Sequence, residues 1–214
     1  ATLLAVLFLG RWNRQLGILI LLVASLFFYG WWNPKYLILI IASVVINYLL
    51  GQTIIAVRSR ALLIIGIIFN LALIGYYKYL GFFAGLFLPS QEEFDSLRDI
   101  ILPLGISFFT FQQIAYLVDA YHRRTIANKF IEYALFVTFF PQLIAGPIVR
   151  QMEIMPQLVG DRVRVNLGNI AIGLTIFSIG LFKKIVIADQ VAFAVTPVFE
   201  AAGQGHGLDA FTAW

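Results

Sequence analysis

The sequence predicts an all-α protein, a polytopic bundle of transmembrane helices that contains one re-entrant, broken segment. Of the 214 residues, 61% are hydrophobic and only 12% are charged, which is about half the charge of a typical soluble domain. Apolar runs of about 20 residues, the length that crosses a bilayer as a helix, recur along the chain. One further apolar run contains Pro141, Gly146 and Pro147, which prevent it from crossing as one regular helix.

Five apolar runs are predicted to cross the membrane completely. They are Gln15–Trp32, Tyr36–Val57, Ala61–Leu80, Ile100–Tyr121 and Val165–Ala188. The first ends in a Trp pair and the third in an aromatic run around Lys78, both typical of the membrane interface. The fourth carries Pro103 in its first turn, where proline is tolerated. Residues 81–88 are expected at the interface, residues 191–199 begin another element, and residues 203–207 form a flexible loop.

The broken segment is predicted over Lys129–Val149. Its prolines remove backbone donors and clash with the preceding helical turn. A carbonyl group freed in this way finds no water in the hydrocarbon core of the bilayer. Irregular backbone at this depth is tolerated only where it is buried in protein or lines a wet cavity. We therefore expect the segment to pack inside the bundle and to border a cavity.

Loop charges predict the orientation of the spans. The loops on one predicted side carry clusters of basic residues, namely Arg11, Arg14, Arg58, Arg60, Arg123, Arg124 and Lys129. The opposite loops carry Lys35 and an acidic run that includes Glu92, Glu93 and Asp95. Because cytoplasmic loops are enriched in lysine and arginine, the basic side is predicted to be cytoplasmic.

The loop after the broken segment is basic as well. It carries Arg150, Arg162 and Arg164. Since both flanking loops are basic, the segment is predicted to be a re-entrant hairpin that enters from the cytoplasm, turns near Pro141–Pro147 and returns. Lys183 and Lys184 then fall near the outer end of the next span, where they either snorkel to the interface or face a cavity.

Composition excludes several kinds of function. The net charge of +4 comes from basic residues in short loops, so it reflects membrane topology and predicts no nucleic-acid partner. The chain has no cysteine, which excludes disulfides and thiolate metal sites within it. His122 and His206 are the only histidines, and neither has neighbours at metal-ligand spacing. No metal site is therefore predicted.

Neither an internal repeat nor a linker divides the sequence, so residues 1–214 are predicted to form a single membrane domain. The chain begins at Ala1 inside an apolar run and reaches Trp214 without a polar tail. We therefore expect this domain to be the N-terminal part of a larger one.

Polar residues on the fourth span mark a candidate site. Gln112, Tyr116 and Asp119 are spaced so that they share one helical face. Such a stripe faces protein rather than lipid. It either forms a cavity wall or makes interhelical hydrogen bonds, with Asp119 paired to Arg123 or Arg124. The second interpretation is favoured.

The last predicted span has a face of small and polar residues. It consists of Asn169, Gly173, Gly180 and Lys184. Small residues let helices approach closely, so this face is predicted to pack against another helix. Lys184 is a candidate for binding an anionic group, but snorkelling to the interface is the favoured explanation.

Three blocks resemble the membrane-bound O-acyltransferase (MBOAT) family. They are Leu102–Asp119 with its L-P-L-G-I-S-F-F-T-F-Q start, Phe139–Arg150 with the sequence F-F-P-Q-L-I-A-G-P-I-V-R, and Gly180–Asp189 with the sequence G-L-F-K-K-I-V-I-A-D. Their order and spacing match the bacterial branch that contains alginate O-acetyltransferase and, more distantly, the D-alanyl transfer protein of teichoic acid. The Gln142–Ala145 variant is closer to the alginate acetylase side.

The resemblance implies a many-helix bundle around a funnel and transfer of an acyl group from a thioester to a hydroxyl. The family's catalytic histidine lies downstream of these blocks, and neither His122 nor His206 stands in its motif. This chain is therefore expected to contain no catalytic residue and to be inactive alone. Gln142 and Arg150 are expected to line or support the cytoplasmic mouth of the funnel.

The resemblance also implies substrates, partners and location. The donor is expected to be acetyl-CoA or an acyl carrier protein, as a co-substrate rather than a tightly bound cofactor. The acceptor is expected to be an exported polysaccharide or cell-envelope glycan, as in alginate biosynthesis. The bilayer and periplasmic or extracellular acetylation proteins are the expected partners, and the bacterial inner membrane is the expected location.

Two other functions fit the sequence. Broken helices at mid-membrane form substrate sites in many transporters, so a transporter or channel is one alternative. A non-catalytic membrane subunit that docks partner proteins is the other.

Overall fold

The computed structural model describes residues 13–87, 101–124, 129–144, 149–159 and 166–203. The chain divides into two compact units, Ala1–Val163 and Arg164–Trp214, which are described separately below. All the regular elements in the described ranges are helical, which confirms the predicted all-α class.

The first unit contains eight described helices. They are α1 (Arg14–Trp32), α2 (Pro34–Val57), α3 (Arg60–Ile74), α4 (Leu80–Phe87), α5 (Ile106–Tyr121), α6 (Phe130–Thr138), α7 (Phe140–Leu143) and α8 (Gln151–Val159). A π-helical turn, Gly75–Tyr79, joins α3 to α4 without interruption. Three stretches of this unit are long and apolar enough to cross a membrane, namely Gln15–Trp32, Pro34–Val57 and Arg60–Phe83. The protein is therefore a multi-pass membrane protein.

A single asparagine connects α1 to α2. The backbone N–H of Asn33 donates to the carbonyl of Tyr29 at the end of α1. Its side-chain Oδ1 accepts a 3.0 Å hydrogen bond from the N–H of Lys35 in the first turn of α2. Pro34 follows as the first helical residue, a position where its missing N–H costs nothing. The two spans therefore form a tight antiparallel hairpin.

Contacts along α5 fix the directions of its neighbours. At the start of α5, the hydroxyl of Tyr36 donates to the carbonyl of Ile101, and near its end Tyr116 lies against Gly51. Helix α2 therefore runs parallel to α5. Helix α3 runs the other way, because Gly66 near its start lies against Leu117, near the end of α5.

These directions place the basic loops together. The end of the bundle at which α2 and α5 stop and α3 and α6 start carries Arg58, Arg60, Arg123, Arg124 and Lys129. We call it the basic end, and we call the opposite end, which carries Asn33 and Gly105, the far end. The predicted alternation of loop charge across the first four spans agrees with this arrangement. By the positive-inside rule, the basic end is predicted to face the cytoplasm.

The exposure of side chains is inverted relative to a soluble protein. Polar side chains are buried between helices, among them Ser43, Asn47, Asn70, Thr110 and Gln113. Large apolar side chains cover the outer faces, among them Val23, Phe27, Ile38, Ile65 and Ile68. Lipid solvates apolar side chains and leaves polar ones to find partners inside the bundle. This pattern supports a bilayer around the first unit.

The fourth predicted span begins later than expected. Helix α5 starts at Ile106 rather than near Ile100, and Pro103 precedes the helix instead of lying in its first turn. Gly105 caps the helix with a left-handed backbone, φ 66°, a conformation that glycine adopts without strain. The start was mispredicted because apolarity alone does not distinguish an extended entry segment from a helical turn.

The described residues of the second unit, 166–203, form one continuous helix that begins at Leu167. It consists of α9 (Leu167–Phe182), a π-helical turn Lys183–Ala188 and α10 (Asp189–Gly203). Its stretch Leu167–Phe193 is long and apolar enough to span a membrane. The predicted end at residue 188 and new element at 191 were therefore wrong, and Lys183 and Lys184 lie inside this stretch rather than near the end of a helix. The predicted loop beyond Gly203 lies outside the described residues.

Candidate functional site

A buried cluster of four polar side chains joins three spans of the first unit. Asn47 on α2 donates from Nδ2 to Gln113 Oε1 on α5 at 2.6 Å, and Ser43 donates to the same oxygen at 2.8 Å. Asn70 on α3 donates from Nδ2 to Asn47 Oδ1 at 2.6 Å. All four residues are at most 1% exposed. We call this group the polar cluster.

The polar cluster connects α2, α3 and α5 by hydrogen bonds. The surrounding bilayer core contains no water that could replace these bonds if they broke. The side chains of Asn47 and Asn70 also donate to carbonyls one turn earlier, those of Ser43 and Gly66. Each interhelical hydrogen bond in a membrane bundle contributes roughly 0.6 kcal/mol on average. We therefore interpret the cluster as a structural element that fixes the register of the three helices, rather than as a catalytic one.

Tyr116, a predicted cavity residue, is a packing residue. A Cβ atom added at Gly51 on α2 would overlap its ring, so the tyrosine fills the notch that this glycine leaves. The other side of the ring lies against Tyr133 on α6, with centroids 4.4 Å apart. Its hydroxyl bonds the side chain of Gln52. The interpretation as interhelical packing, rather than a cavity wall, fits these contacts.

Gln112 and Asp119, the other two residues of the predicted stripe, are also buried, at 3% and 6% exposure. The Oε1 atom of Gln112 has no hydrogen-bond partner. The expected ion pair of Asp119 does not form, because Arg123 and Arg124 are both exposed and Asp119 has no ion-pair partner within the described part of the chain. The two arginines follow the end of α5 at Tyr121. The backbone of Arg123 adopts a left-handed conformation, with φ 55°.

The predicted break lies at Phe139. Its ψ of 104° interrupts the helical backbone between α6 and α7, and Pro141 occupies the first turn of the short helix α7, where proline is tolerated. Six consecutive residues of α6, Tyr133–Thr138, are buried. The backbone is therefore broken at Phe139, within the predicted segment. The protein encloses the regular helix α6 before the break, whereas Phe139 and Phe140 are half-buried and Pro141 is exposed.

Two neighbouring elements position α7. On one side, the hydroxyl of Ser25 on α1 accepts a hydrogen bond from the N–H of Phe140 at 3.3 Å. The first N–H groups of a helix have no partner within the helix, and the side chain of Phe139 cannot supply one. Ser25 therefore caps the start of α7. On the other side, the carbonyl oxygen of Leu143 lies so close to Gly105 that an added Cβ would overlap it. The second family-like block thus contacts the first one directly.

The broken segment extends through most of the bundle. At the basic end, Lys129 and Glu132 share a cavity of about 360 Å³ with Gln15 and Ile18 at the start of α1. At the far end, Phe140 shares a second cavity of about 410 Å³ with α1 residues that include Phe28 and Trp31. The segment therefore runs parallel to α1 and reaches the level of Gly105 before residue 144.

This depth corrects the expected position of Gln142. The residue lies between Pro141 and Leu143 at the far end, not at the cytoplasmic mouth, because α6 and α7 together carry the chain past the middle of the bundle. Both polar atoms of its side chain are buried without a hydrogen-bond partner. Arg150, the other residue expected at that mouth, is exposed. Residues 145–148, which include Pro147, lie outside the described residues, so the return limb of the hairpin stays a prediction.

Lys184 in the second unit forms an ion pair within its own helix. Its Nζ atom lies 2.7 Å from Asp189 Oδ2. The N–H of Asp189 donates to the carbonyl of Lys184, five residues earlier, as is typical of a π turn. In an α-helix, side chains five residues apart point in different directions. The π turn thus aligns the two charges, and both interpretations of Lys184, snorkelling and binding of an anionic group, stay predictions.

The histidines do not form a catalytic arrangement that the structure describes. His122 is exposed directly after α5, with its ring against Tyr121, and His206 lies outside the described residues. No group of three or more potential metal ligands occurs in the parts of the chain that were placed. The described residues form a helical frame with a buried polar interior.

Comparison with known proteins links this frame to acetyl transfer. The chain is 46% identical, over 91% of its length, to the peptidoglycan O-acetyltransferase of Helicobacter pylori. It is 39% identical over 81% of its length to a probable alginate O-acetylase AlgI of Pseudomonas aeruginosa, and 37% identical over 85% to the one of Pseudomonas syringae. It spans 42%, 35% and 36% of these relatives. No family model and no solved structure matches it.

Proposed function

Because this chain is a homologue of bacterial O-acetyltransferases of the MBOAT family, we propose that it is part of an enzyme that acetylates hydroxyls of an exported polysaccharide or cell-envelope glycan. The observation that carries the proposal is the 46% identity to a peptidoglycan O-acetyltransferase over 91% of the chain. The buried, broken segment supports it, since such backbone is tolerated where it is enclosed by protein or borders a cavity.

The reaction requires two substrates that arrive from opposite sides of the membrane. The donor is a cytoplasmic thioester, acetyl-CoA or an acyl carrier protein, and the acceptor is a glycan hydroxyl outside. The acetyl carbon–sulfur bond breaks and a carbon–oxygen ester bond forms. The hydroxyl loses its proton to a general base, and the thiolate leaving group takes up a proton. A hydroxyl is a poor nucleophile at neutral pH, so the base is essential.

We assign that base to a histidine outside this chain, as the family resemblance implies. The contribution of the residues described here is positional. The polar cluster fixes the register of α2, α3 and α5, and Ser25 and Gly105 fix the broken segment against them. The complete protein is proposed to lie in the bacterial inner membrane and to act with acetylation proteins on the envelope side.

The proposal predicts a specific chemical deficit after gene deletion. Ester-linked acetate should be measured separately on peptidoglycan and on exported polysaccharide from the deletion strain. We expect one fraction to lose most of its acetate and to regain it when the complete gene is supplied. Unchanged acetate on both fractions would contradict the proposal.

Histidine variants of the complete protein distinguish an enzyme from the two alternative functions, a transporter and a docking subunit. Each histidine in an apolar span of the full-length sequence is replaced by alanine, and the variants are supplied to the deletion strain. An enzyme requires one of these histidines, so one variant should fail to restore acetate although it reaches the membrane. Restoration by every variant would favour a transporter or a docking subunit.

A further inference from the structure

The side chain of Gln142, like that of Gln151, has both polar atoms of its amide buried without a partner in the protein. Gln142 as a whole residue is partly exposed, yet its Nε2 and Oε1 atoms are not. A buried amide without partners costs free energy, because nothing replaces the hydrogen bonds that it makes with water in the unfolded chain. Nearly all buried polar groups in native proteins have a partner, either protein or a bound molecule. The amide of Gln142 thus lacks a partner that its environment requires.

The backbone on both sides of Gln142 is held by other elements. Two residues before it, the N–H of Phe140 bonds Ser25 of α1. One residue after it, the carbonyl of Leu143 contacts Gly105 at the start of α5. In addition, the N–H of Gln142 itself donates to the carbonyl of Phe139 at 3.0 Å. The position of the side chain is therefore set by the fold rather than by a flexible loop.

The amide also lies on the side from which the acceptor would come. Leu143 contacts Gly105, and Gly105 lies at the far end, where Tyr36 bonds the carbonyl of Ile101. The basic end, at which a cytoplasmic donor would enter, is at the other side of the bundle. A group that binds the donor is not expected at this depth.

We propose that Gln142 is a binding residue for a hydroxyl group of the glycan acceptor. The inference rests on the proposed function. A primary amide offers one acceptor oxygen and two N–H donors, and a hydroxyl offers one donor and two acceptor positions. The two groups satisfy each other without burying a charge, which suits a neutral sugar inside a membrane protein. An ordered water has the same hydrogen-bonding capacity, so the experiment must distinguish the two.

The test uses Gln142→Leu in the complete protein, in solubilised membranes with acetyl-CoA as donor. The acceptor is whichever oligosaccharide, from alginate or from peptidoglycan, the wild type acetylates. We expect the KM for the oligosaccharide to rise about 5- to 10-fold, as the loss of one hydrogen bond to a ligand predicts. The KM for acetyl-CoA should not change. Since Gln142 has no partner in the protein, the melting temperature should stay the same or rise.

Two further variants serve as controls. Gln157→Leu removes an exposed glutamine whose amide donates only to the carbonyl of Glu153, and it should change neither KM. Gln113→Leu removes an acceptor of the polar cluster, so it should lower the melting temperature. The contrast between Gln113 and Gln142 separates a structural glutamine from a ligand-binding one.

Each outcome of the experiment decides the inference. An unchanged acceptor KM in Gln142→Leu would overturn it and would leave an ordered water as the partner of the amide. A lower melting temperature with equal losses toward both substrates would overturn it too, because it would show a structural role. If the wild type acetylated neither oligosaccharide, the proposed function itself would fail, independently of Gln142.

Discussion

Replacing Gly105 by alanine is expected to lower the free energy of unfolding by about 2–4 kcal/mol, through backbone strain and overpacking. The residue adopts φ 66°, which disfavours any side chain with a Cβ atom. That Cβ would also overlap the carbonyl oxygen of Leu143. A backbone atom cannot rotate away as the tip of a side chain can, so α5 and α7 must move apart. Thermal unfolding of the complete protein in detergent measures the effect.

Gly75→Ala is the matched control. Gly75 lies in a helical conformation with φ −55°, and a Cβ there would meet nothing within 4 Å. Alanine in a helix is more stable than glycine by about 0.5–1 kcal/mol, so this variant should melt at the same or a higher temperature. Equal melting temperatures of Gly105→Ala and the wild type would refute the contact between the two blocks.

Replacing Asn47 by leucine is expected to cost about 1–3 kcal/mol, because it leaves Oδ1 of Asn70 without a donor and removes one of the two donors to Gln113 Oε1. Asn47 is the residue that joins the other members of the polar cluster across α2, α3 and α5. Leucine has nearly the same size, so the loss reflects hydrogen bonding rather than volume. The melting temperature of the complete protein should fall, and helix packing should loosen before the helices themselves unfold.

Two further variants test whether the loss of stability comes from the polar cluster. Thr53→Val, on the same helix, removes a hydroxyl that bonds only the carbonyl of Leu49 and should change stability by less than about 0.5 kcal/mol. Replacing Asn47, Asn70 and Gln113 together by leucine should recover part of the loss, since it removes the unpaired partners as well. A triple variant less stable than the sum of the single ones would contradict the cluster as a network.

The sequence predicted the features that depend on local composition. Span positions follow from apolar runs, orientation follows from basic loops, and the break near Pro141 follows from proline itself. These features need no knowledge of which helix contacts which.

The features that depend on register across helices were not predictable. Ser43, Asn47 and Asn70 are scattered polar residues in apolar spans. Gln113, the partner of Ser43 and Asn47, stands next to the predicted stripe rather than in it. The contact between Gly105 and Leu143 joins residues distant in sequence. The last span was predicted to end at Ala188, whereas a π turn pairs Asp189 with Lys184 and the helix continues.

Gln142 shows why the side of a residue was mispredicted. The sequence placed the turn of the hairpin at an unspecified depth, and the residue was assigned to the side of the flanking basic loops. Helix α6 and the turn of α7 extend roughly 20 Å at the rise of an α-helix, which is most of a hydrocarbon core about 30 Å thick. The residue therefore emerges on the opposite side.

We infer that the broken segment passes through the bundle from the basic end to the far end. Labelling of single cysteines with a membrane-impermeant thiol reagent, in a cysteine-free form of the complete protein, tests it most directly. Lys129 and Ile144 are both exposed, and Glu153→Cys reports on the predicted return limb. We predict that Lys129→Cys reacts from the cytoplasmic side only and Ile144→Cys from the opposite side only. Reaction of both cysteines from the same side would contradict the account.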